Sequence, residues 1–292
     1  MASKAAVQPL RRIVSRVEVE RKFNPGRAFA YRFLPKDWNA SWEQRHETRN
    51  FNFERPSFTL LKQPSQLIRD TYFDTQDGHL SKLGLWVRKR DSRDSPPDAA
   101  WIKINESHGG ANELTWPFSK EFESEKAQWN AKSRLGGHFN SSQFVELDGK
   151  QNISDEVLRI TGGKLRLEDL EVVADLQTHR SSWKVTRLAD GTVPPANMTI
   201  VMDRAFTETE HDKGGSDESA FSHDIGEVEL FQEFVTEGKD SAEHEEQRKQ
   251  VSAQMMEQLK KFMLANMDLF STSPPPSGKL SAYFEWKKAR RG

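Results

Sequence analysis

The sequence predicts either an all-β barrel or an α+β fold that is built around one. Three observations support this prediction. Many short segments alternate between polar residues and β-branched or aromatic residues, turn-forming residues separate these segments, and only one segment has the spacing of a long amphipathic helix. Chains with many antiparallel strand candidates and few long helices commonly fold in one of these two ways.

Length and composition limit the classes of function. The chain has 292 residues, which suits one large β domain or two ordinary domains. Its formal net charge of −1 argues against nonspecific attraction to nucleic acid or to an anionic membrane, and it has no apolar run of about 18 residues. Because cysteine is absent, disulfides and cysteine-type zinc sites are excluded. We therefore expect a cytoplasmic monomer that binds a small ligand.

The sequence predicts a simple domain organisation. Residues 1–16 form a basic segment without acidic residues, a composition that also resembles a transit peptide, so mitochondrial import is the alternative location. Residues 17–292 are predicted as a single domain. Insertions are predicted near residues 24–57, which show no sustained period, and near residues 208–223, which are charged and rich in glycine and serine.

In the first half of the chain, the strand candidates share an alternating pattern and strong strand-forming residues. They are residues 17–23, 66–75, 84–90 and 100–104. The last two are separated by the hydrophilic residues 91–99, which we interpret as a loop. A hairpin is the simplest arrangement of these two strands.

The second half begins with two predicted short helices, residues 124–135 and 153–161. The second has Ser154 as a plausible N-cap and Gly162-Gly163 as its stop. Strands are predicted at residues 170–188, 197–206 and 224–231. Residues 241–268 carry apolar residues at helical spacing, which predicts an amphipathic helix packed on the sheet, and residues 279–292 are predicted to form a short terminal helix.

Charged residues at alternate positions are the clearest functional signal. They occur in four strand candidates, as Glu18/Glu20/Lys22, Arg88/Arg90, Arg180/Lys184 and Glu227/Glu229. In a simple antiparallel sheet such a face is exposed to water. If the strands close into a barrel with these faces inward, the interior contains both signs of charge and requires ligands or counter-charges.

Carboxylates grouped with lysine and arginine suit a polyphosphate bound together with a metal ion. Mg²⁺ and Mn²⁺ prefer oxygen ligands, and guanidinium and ammonium groups bind phosphate oxygens. The chain has no GxxxxGK[ST] phosphate loop and no convincing GxGxxG motif, so side chains must hold the phosphates. We therefore expect Mg²⁺ as the cofactor, with Mn²⁺ as the alternative.

These residues resemble the CYTH superfamily, the triphosphate tunnel metalloenzymes. The family's N-terminal ExExK motif reads "EVERK" here. The stretch "DTYFDTQDGHLSKLGLWVRKRD" is similar to the thiamine-triphosphatase branch, and "WIKI", "THRSSWKV", "VMDRAF", "GEVEL" and "KLSAYF" follow in order. The resemblance implies an α+β fold with a closed eight-stranded antiparallel β-barrel, which forms a tunnel and carries peripheral helices.

The resemblance also implies roles for individual residues. The implied metal-binding residues are Glu18, Glu20, Asp203, Glu227 and Glu229. The implied phosphate-binding residues are Lys22, Arg88, Arg90, Lys103, Arg180 and Lys279. We predict Lys22, Glu227 and Arg180 as the catalytic residues, and Glu121 and Glu123 are equal candidates for a further acid in the tunnel.

The implied reaction is hydrolysis of the terminal phosphate of a small triphosphate, with thiamine triphosphate favoured. Trp86 shares a strand face with Arg88 and Arg90, so its indole could bind substrate by stacking on a thiazolium cation. It could equally pack at the barrel mouth, because tryptophan is mostly buried. The alternatives are an inorganic triphosphatase, less favourably an enzyme that cyclises ATP, and a polyphosphate-binding protein without catalysis.

Overall fold

The computed structural model describes residues 12–33, 58–94, 127–138, 141–188, 190–194, 197–207, 221–237 and 242–290. In these ranges the chain forms ten strands and five α-helices. The strands are β1 (Arg12–Pro25), β2 (Phe58–Lys62), β3 (Gln66–Asp74), β4 (Leu85–Asp94), β5 (Gln128–His138), β6 (Ser141–Asp148), β7 (Glu171–Leu188), β8 (Thr199–Phe206), β9 (Ser222–Glu237) and β10 (Phe270–Ser271). The helices are α1 (Arg27–Phe33), α2 (His79–Leu83), α3 (Lys150–Ile160), α4 (Ala242–Leu264) and α5 (Lys279–Ala289).

Eight of the described strands close into an antiparallel barrel. Their order is β1-β6-β5-β4-β3-β7-β8-β9, and pairing of β1 with β9 closes the ring. The remaining two strands extend the sheet, since β2 pairs with β7 and β10 pairs with β1. The predicted closed eight-stranded barrel is therefore confirmed.

The segment of β1 from Val17 to Phe23 is largely buried on both of its faces. Val17, Val19 and Phe23 are fully buried on the outer face, whereas Glu18, Glu20 and Lys22 point into the barrel. Side chains alternate across a strand, so this pattern places three charges in the interior and three apolar groups outside. The prediction that the charged faces point inward is confirmed for this strand.

The outer face of the barrel is covered by helices at two places. Helix α4 carries buried Met255, Leu259 and Phe262 into the core cluster that contains the apolar face of β1. This confirms the predicted amphipathic helix, which ends at Leu264. Helices α2 and α3 cover β4 and β5 through a second cluster that includes Leu80 and Val157.

None of the described helices combines the length and apolarity needed to cross a bilayer.

The C-terminal helix α5 packs against a third apolar cluster. Tyr72, Leu176 and Phe221 are buried in this cluster, and Tyr283 and Trp286 of the helix pack against them. The rings of Phe221 and Tyr283 meet edge to face at 5.5 Å between centroids. This packing fixes the start of α5, where Lys279 lies, against the charged part of the interior.

One predicted helix is wrong. The sequence favours a helix at residues 124–135, but β5 occupies Gln128–His138. The strand buries Ala131 in the cluster beneath α3, and its opposite face places Lys132 and Arg134 in the interior cavity. Pairing with β4 on one side and β6 on the other stabilises the extended conformation, so tertiary context overrides the local preference.

Three predicted element boundaries also need correction. Residues 91–94 continue β4 rather than starting a loop, because they pair with β3. Helix α3 begins at Lys150 after Gly149, so Ser154 lies within it and is not the N-cap, although Gly162 and Gly163 do follow its end with positive φ. Strand β1 begins at Arg12, five residues before the predicted start. The predicted strand at residues 100–104 and most of the two predicted insertions lie outside the described residues.

Candidate active site in the barrel

The barrel encloses a cavity of about 380 Å³ in which charged side chains dominate. The acidic residues that line it are Glu18, Glu20, Glu146, Glu227 and Glu229. The basic residues that line it are Lys22, Lys82, Arg88, Arg90, Lys132, Arg134, Arg180 and Lys279. Since these groups come from strands and helices that are far apart in sequence, barrel closure is what brings them together.

Three glutamates form a compact acidic group, which we call the three-glutamate group. One carboxylate oxygen from each of Glu18, Glu20 and Glu229 lies within 4.8 Å of the others, and no other such group of three occurs among the described residues. Burial raises the pKa of Glu18 to about 7, and burial with two nearby glutamates raises the pKa of Glu229 well above its ordinary value. The raised pKa values indicate that the surrounding cations do not fully offset burial and the crowded negative charge.

Two lysines contact this group, Lys22 from β1 and Lys132 from β5. Lys22 bonds Glu20, and its Nζ lies 3.1 Å from Glu227 Oε1. The Nζ of Lys132 lies 2.6 Å from Glu18 Oε2 and 2.9 Å from Glu20 Oε2. Although burial acts in the opposite direction, Lys132 and Lys22 hold the pKa of Glu20 below its usual range.

Asp203 lies apart from the three-glutamate group and contacts two cations. Arg180 donates from Nε and Nη2 to its two carboxylate oxygens at 2.8 and 2.7 Å, and Lys279 Nζ donates at 2.7 Å. The side chain of Asp203 is fully buried, and despite that burial the two cations hold its pKa below the usual range. Asp203 therefore fixes the positions of both cations.

Asp70 has the same arrangement on another wall of the barrel. Arg90 donates to its two oxygens at 2.7 and 2.6 Å, and Arg88 Nε lies 3.8 Å from Oδ1. Arg88 also donates from Nε to Asn130 Oδ1 at 2.6 Å. Burial opposes ionisation of Asp70, but the two arginines hold its pKa below the usual range. The guanidinium groups are thereby oriented before any ligand arrives.

Trp86 lies where the charged cavity meets a second cavity of about 560 Å³. Its ring packs edge to face on Phe144 at 5.5 Å, and Arg134 Cζ lies 4.8 Å from its centroid. The second cavity is also lined by Tyr72 and Phe284, which contribute to both cavities. Trp86 is thus positioned between a strongly charged space and a less charged one.

The structure gathers most of the residues that the sequence singles out. Glu18, Glu20 and Glu229 lie together, and Glu227, Lys22, Arg88, Arg90, Arg180, Lys279 and Trp86 line the same cavity. Asp203 contacts two of these cations. Lys103, Glu121 and Glu123 lie outside the described residues.

Five charged residues that line or face the cavity are not predicted from the sequence: Asp70, Lys82, Lys132, Arg134 and Glu146. Lys132 and Arg134 carry the same alternating signal as Arg88 and Arg90, but the predicted helix at residues 124–135 conceals it. Asp70 has no charged residue two positions away in β3, where Ile68 and Tyr72 flank it on the same face, so the alternating-charge pattern does not mark it.

Comparison with protein families agrees with this geometry. The CYTH domain model matches residues 58–262, which is more than half of the chain. The chain belongs to the CYTH domain family. A comparison with curated proteins gives no match.

Solved structures provide distant likenesses. HpAC1 from Hippeastrum, an adenylyl cyclase candidate described as having a dominant triphosphatase activity, is 12% identical, with 92% of this chain and 95% of that chain covered at a TM-score of 0.38. PH1819 from Pyrococcus horikoshii OT3 is 10% identical, with 92% of this chain and 98% of that chain covered at a TM-score of 0.39. The bh2851 protein of Bacillus halodurans is 15% identical, with 92% of this chain and 98% of that chain covered at a TM-score of 0.35.

Proposed function

We propose that this CYTH protein is a metal-dependent triphosphatase that removes the terminal phosphate of a small triphosphate. The observation that carries the proposal is the shared cavity, in which the three-glutamate group faces lysine and arginine side chains. Oxygen ligands for a divalent cation and donors for phosphate oxygens are the two requirements of phosphoryl transfer in a site without a phosphate loop.

The three-glutamate group fits a divalent cation such as Mg²⁺ or Mn²⁺. Its oxygens are hard ligands within 4.8 Å of one another, and the raised pKa values of Glu18 and Glu229 indicate that more positive charge would be favourable there. A bound cation would neutralise phosphate charge and acidify a water molecule. Metal-binding roles for Glu227 and Asp203 remain predictions, since their carboxylates contact Lys22 and Arg180 respectively.

Four basic residues of the cavity, Arg88, Arg90, Arg180 and Lys279, would bind the phosphate chain. Arg88 and Arg90 are oriented by Asp70, and Arg180 and Lys279 are oriented by Asp203. Donors that are already oriented bind a polyanion with little loss of side-chain entropy. Lys103 stays a predicted member of this set.

In the proposed reaction, water attacks the terminal phosphorus while the bond to the bridging oxygen breaks, which releases orthophosphate and a diphosphate. Lys22 and Arg180 would bind the non-bridging oxygens and stabilise the charge of the transferring group. Glu227, which lies 3.1 Å from Lys22, would position the water and accept its proton. No covalent protein intermediate is required.

Thiamine triphosphate is the favoured substrate. Support comes from Trp86, which lies beside Arg88 at the junction with the second, less charged cavity. A thiazolium cation could bind against an indole ring there. Inorganic triphosphate is the second candidate, because the guanidinium of Arg134 already lies over the Trp86 ring, where the thiazolium would bind.

A monomeric state, a cytoplasmic location and the absence of nucleic-acid or membrane partners remain predictions.

Phosphate release from a panel of triphosphates tests the proposal. The panel contains thiamine triphosphate, inorganic triphosphate and ATP, each with Mg²⁺ and with EDTA. We expect metal-dependent release that is fastest with thiamine triphosphate. Absence of metal-dependent release from every compound would contradict the hydrolase function.

Substitution of Trp86 by alanine separates the two substrate candidates. If the indole binds the organic group, Trp86→Ala should lower kcat/KM for thiamine triphosphate by about tenfold or more, with a smaller effect on inorganic triphosphate. Trp129→Ala is a control, because this tryptophan packs with Phe73 on the outer face. Equal losses on both substrates in Trp86→Ala would argue against stacking.

A further inference from the structure

Lys132 has no role in the proposed reaction, yet it lines the cavity. It lies on β5 opposite Trp86 of β4 and Glu146 of β6. Its side chain is 17% exposed, and its Nζ lies 5.1 Å from the centroid of Phe144. An ammonium group in such a position requires close anionic partners to remain charged.

Those partners are the carboxylates that fit a metal ion. Lys132 Nζ lies 2.6 Å from Glu18 Oε2 and 2.9 Å from Glu20 Oε2, so it contacts two members of the three-glutamate group. Although burial acts against it, these glutamates raise the pKa of Lys132 well above its ordinary value. The ammonium and a divalent cation would therefore compete for the same oxygens.

A divalent cation would displace the ammonium, because twice the charge interacts more strongly with the same carboxylates. Lysine has a flexible four-carbon stem, so Nζ can leave the glutamates without movement of β5. Arg88 and Arg180 line the same cavity in which a triphosphate would lie. The released ammonium would thus remain within reach of phosphate oxygens.

We propose that Lys132 is a further substrate-binding residue, whose ammonium is held by Glu18 and Glu20 until a divalent cation takes its place and then binds the triphosphate. This role rests on the proposed triphosphatase function. It predicts opposite effects of one substitution on two ligands. Removal of the ammonium should strengthen metal binding and weaken triphosphate binding.

Titration calorimetry of Lys132→Met tests both effects. With Mn²⁺ alone, affinity should rise about tenfold, because a competing charge is lost. With inorganic triphosphate in saturating Mn²⁺, affinity should fall about tenfold, because a phosphate contact is lost. Arg90→Gln is the matched comparison, since Arg90 contacts Asp70 instead of the glutamates; it should weaken triphosphate binding without strengthening Mn²⁺ binding.

Unchanged or weaker Mn²⁺ binding in Lys132→Met, or unchanged triphosphate binding, would overturn the inference and leave Lys132 as a fixed structural counter-ion. If the methionine variant does not fold, Lys132→Arg provides a second test. Its guanidinium should hold both carboxylates more firmly and weaken Mn²⁺ binding, so an unchanged affinity would also overturn the inference. Binding without phosphate release in the wild type would instead contradict only the hydrolase function.

Discussion

The acids of the barrel interior fall into two regions whose pKa values shift in opposite directions. In the three-glutamate group, the pKa of Glu18 rises to about 7 and the pKa of Glu229 rises well above its ordinary value. Asp70 and Asp203, which are at least as deeply buried, have lowered pKa values. Burial alone would raise all four, so the neighbouring charges decide the direction.

The difference separates two uses of a buried carboxylate. Each aspartate contacts two cations and orients them, as Asp203 does with Arg180 and Lys279. In the three-glutamate group, by contrast, Lys22 and Lys132 are the only described residues that form ion pairs with the carboxylates. The glutamates therefore retain the capacity to bind another positive charge. One region therefore orients arginine and lysine donors, as the proposed phosphate site requires, and the other would suit a metal ion.

The largest expected effect comes from removing one carboxylate of the metal-suited region. Glu20→Gln should lower phosphate release by about a thousandfold, because metal chemistry contributes several kcal/mol to transition-state stabilisation. Activity at saturating Mg²⁺ measures this loss. Glu156→Gln is the matched control, since Glu156 bonds Ser133 outside the cavity, and near-normal activity in Glu20→Gln would contradict the assignment.

A smaller effect is expected when a donor-positioning acid is changed. Asp70→Asn leaves the partly buried Arg90 with a weakened partner, so we expect roughly a hundredfold loss in kcat/KM and a free energy of unfolding lower by about 3 kcal/mol. Urea denaturation and kinetics measure the two quantities.

The control for this substitution is an ion pair between the same strand and β7 on the outer side of the barrel. Arg69 of β3 also binds an aspartate through two nitrogens, with Asp175 Oδ1 at 3.0 Å from Nε and Oδ2 at 2.8 Å from Nη2. These side chains are 34% and 38% exposed. Asp175→Asn should therefore lower stability by less than about 1 kcal/mol and leave kinetics unchanged. Equal effects of the two substitutions would show that the interior aspartate has no special role.

Much of this comparison could be predicted from short segments. The alternation in residues 17–23 and 224–231 places charges on one face and apolar residues on the other, and both features are confirmed in β1 and β9. Which face lies inside required the family resemblance, because a single amphipathic strand fits a wetted sheet equally well. The barrel was thus predictable, whereas its charge pairing was not.

The pairing could not be predicted because it depends on distant strands. Lys279 reaches Asp203 across 76 positions, and Lys132 reaches Glu20 across 112. Residues 124–135 also contain alanine, lysine and glutamine, which favour helices locally. Only the pairing of β5 with its two neighbours reveals that Lys132 faces inward.

The buried histidine His179 extends the comparison of pKa shifts to a basic group. Its expected effect is smaller and concerns the free energy of unfolding alone. His179 lies on β7 beside Arg204, and burial together with this like charge lowers its pKa to about 4. Asp203 raises the pKa of His179, and Lys62 lowers it further. His179 is 5% exposed and belongs to the outer face of the wall that carries Arg180 inside. Burial therefore favours the uncharged form of His179, as it favours the uncharged form of Glu229.

The sign of the pH effect follows from this lowered pKa. The unfolded state, with an ordinary pKa near 6.5, binds the proton first as pH falls, so the contribution to stability is complete above about 6.5 and declines toward about 4. The full shift corresponds to roughly 3 kcal/mol. Urea denaturation of the wild type and His179→Gln at about pH 7.5 and about pH 4.5 isolates this contribution from other titrations, since the glutamine does not titrate. The free energy of unfolding of the wild type should fall by roughly 2 to 3 kcal/mol more than that of the variant across this interval. Parallel pH profiles would show that burial and the neighbouring cations do not suppress protonation of this histidine.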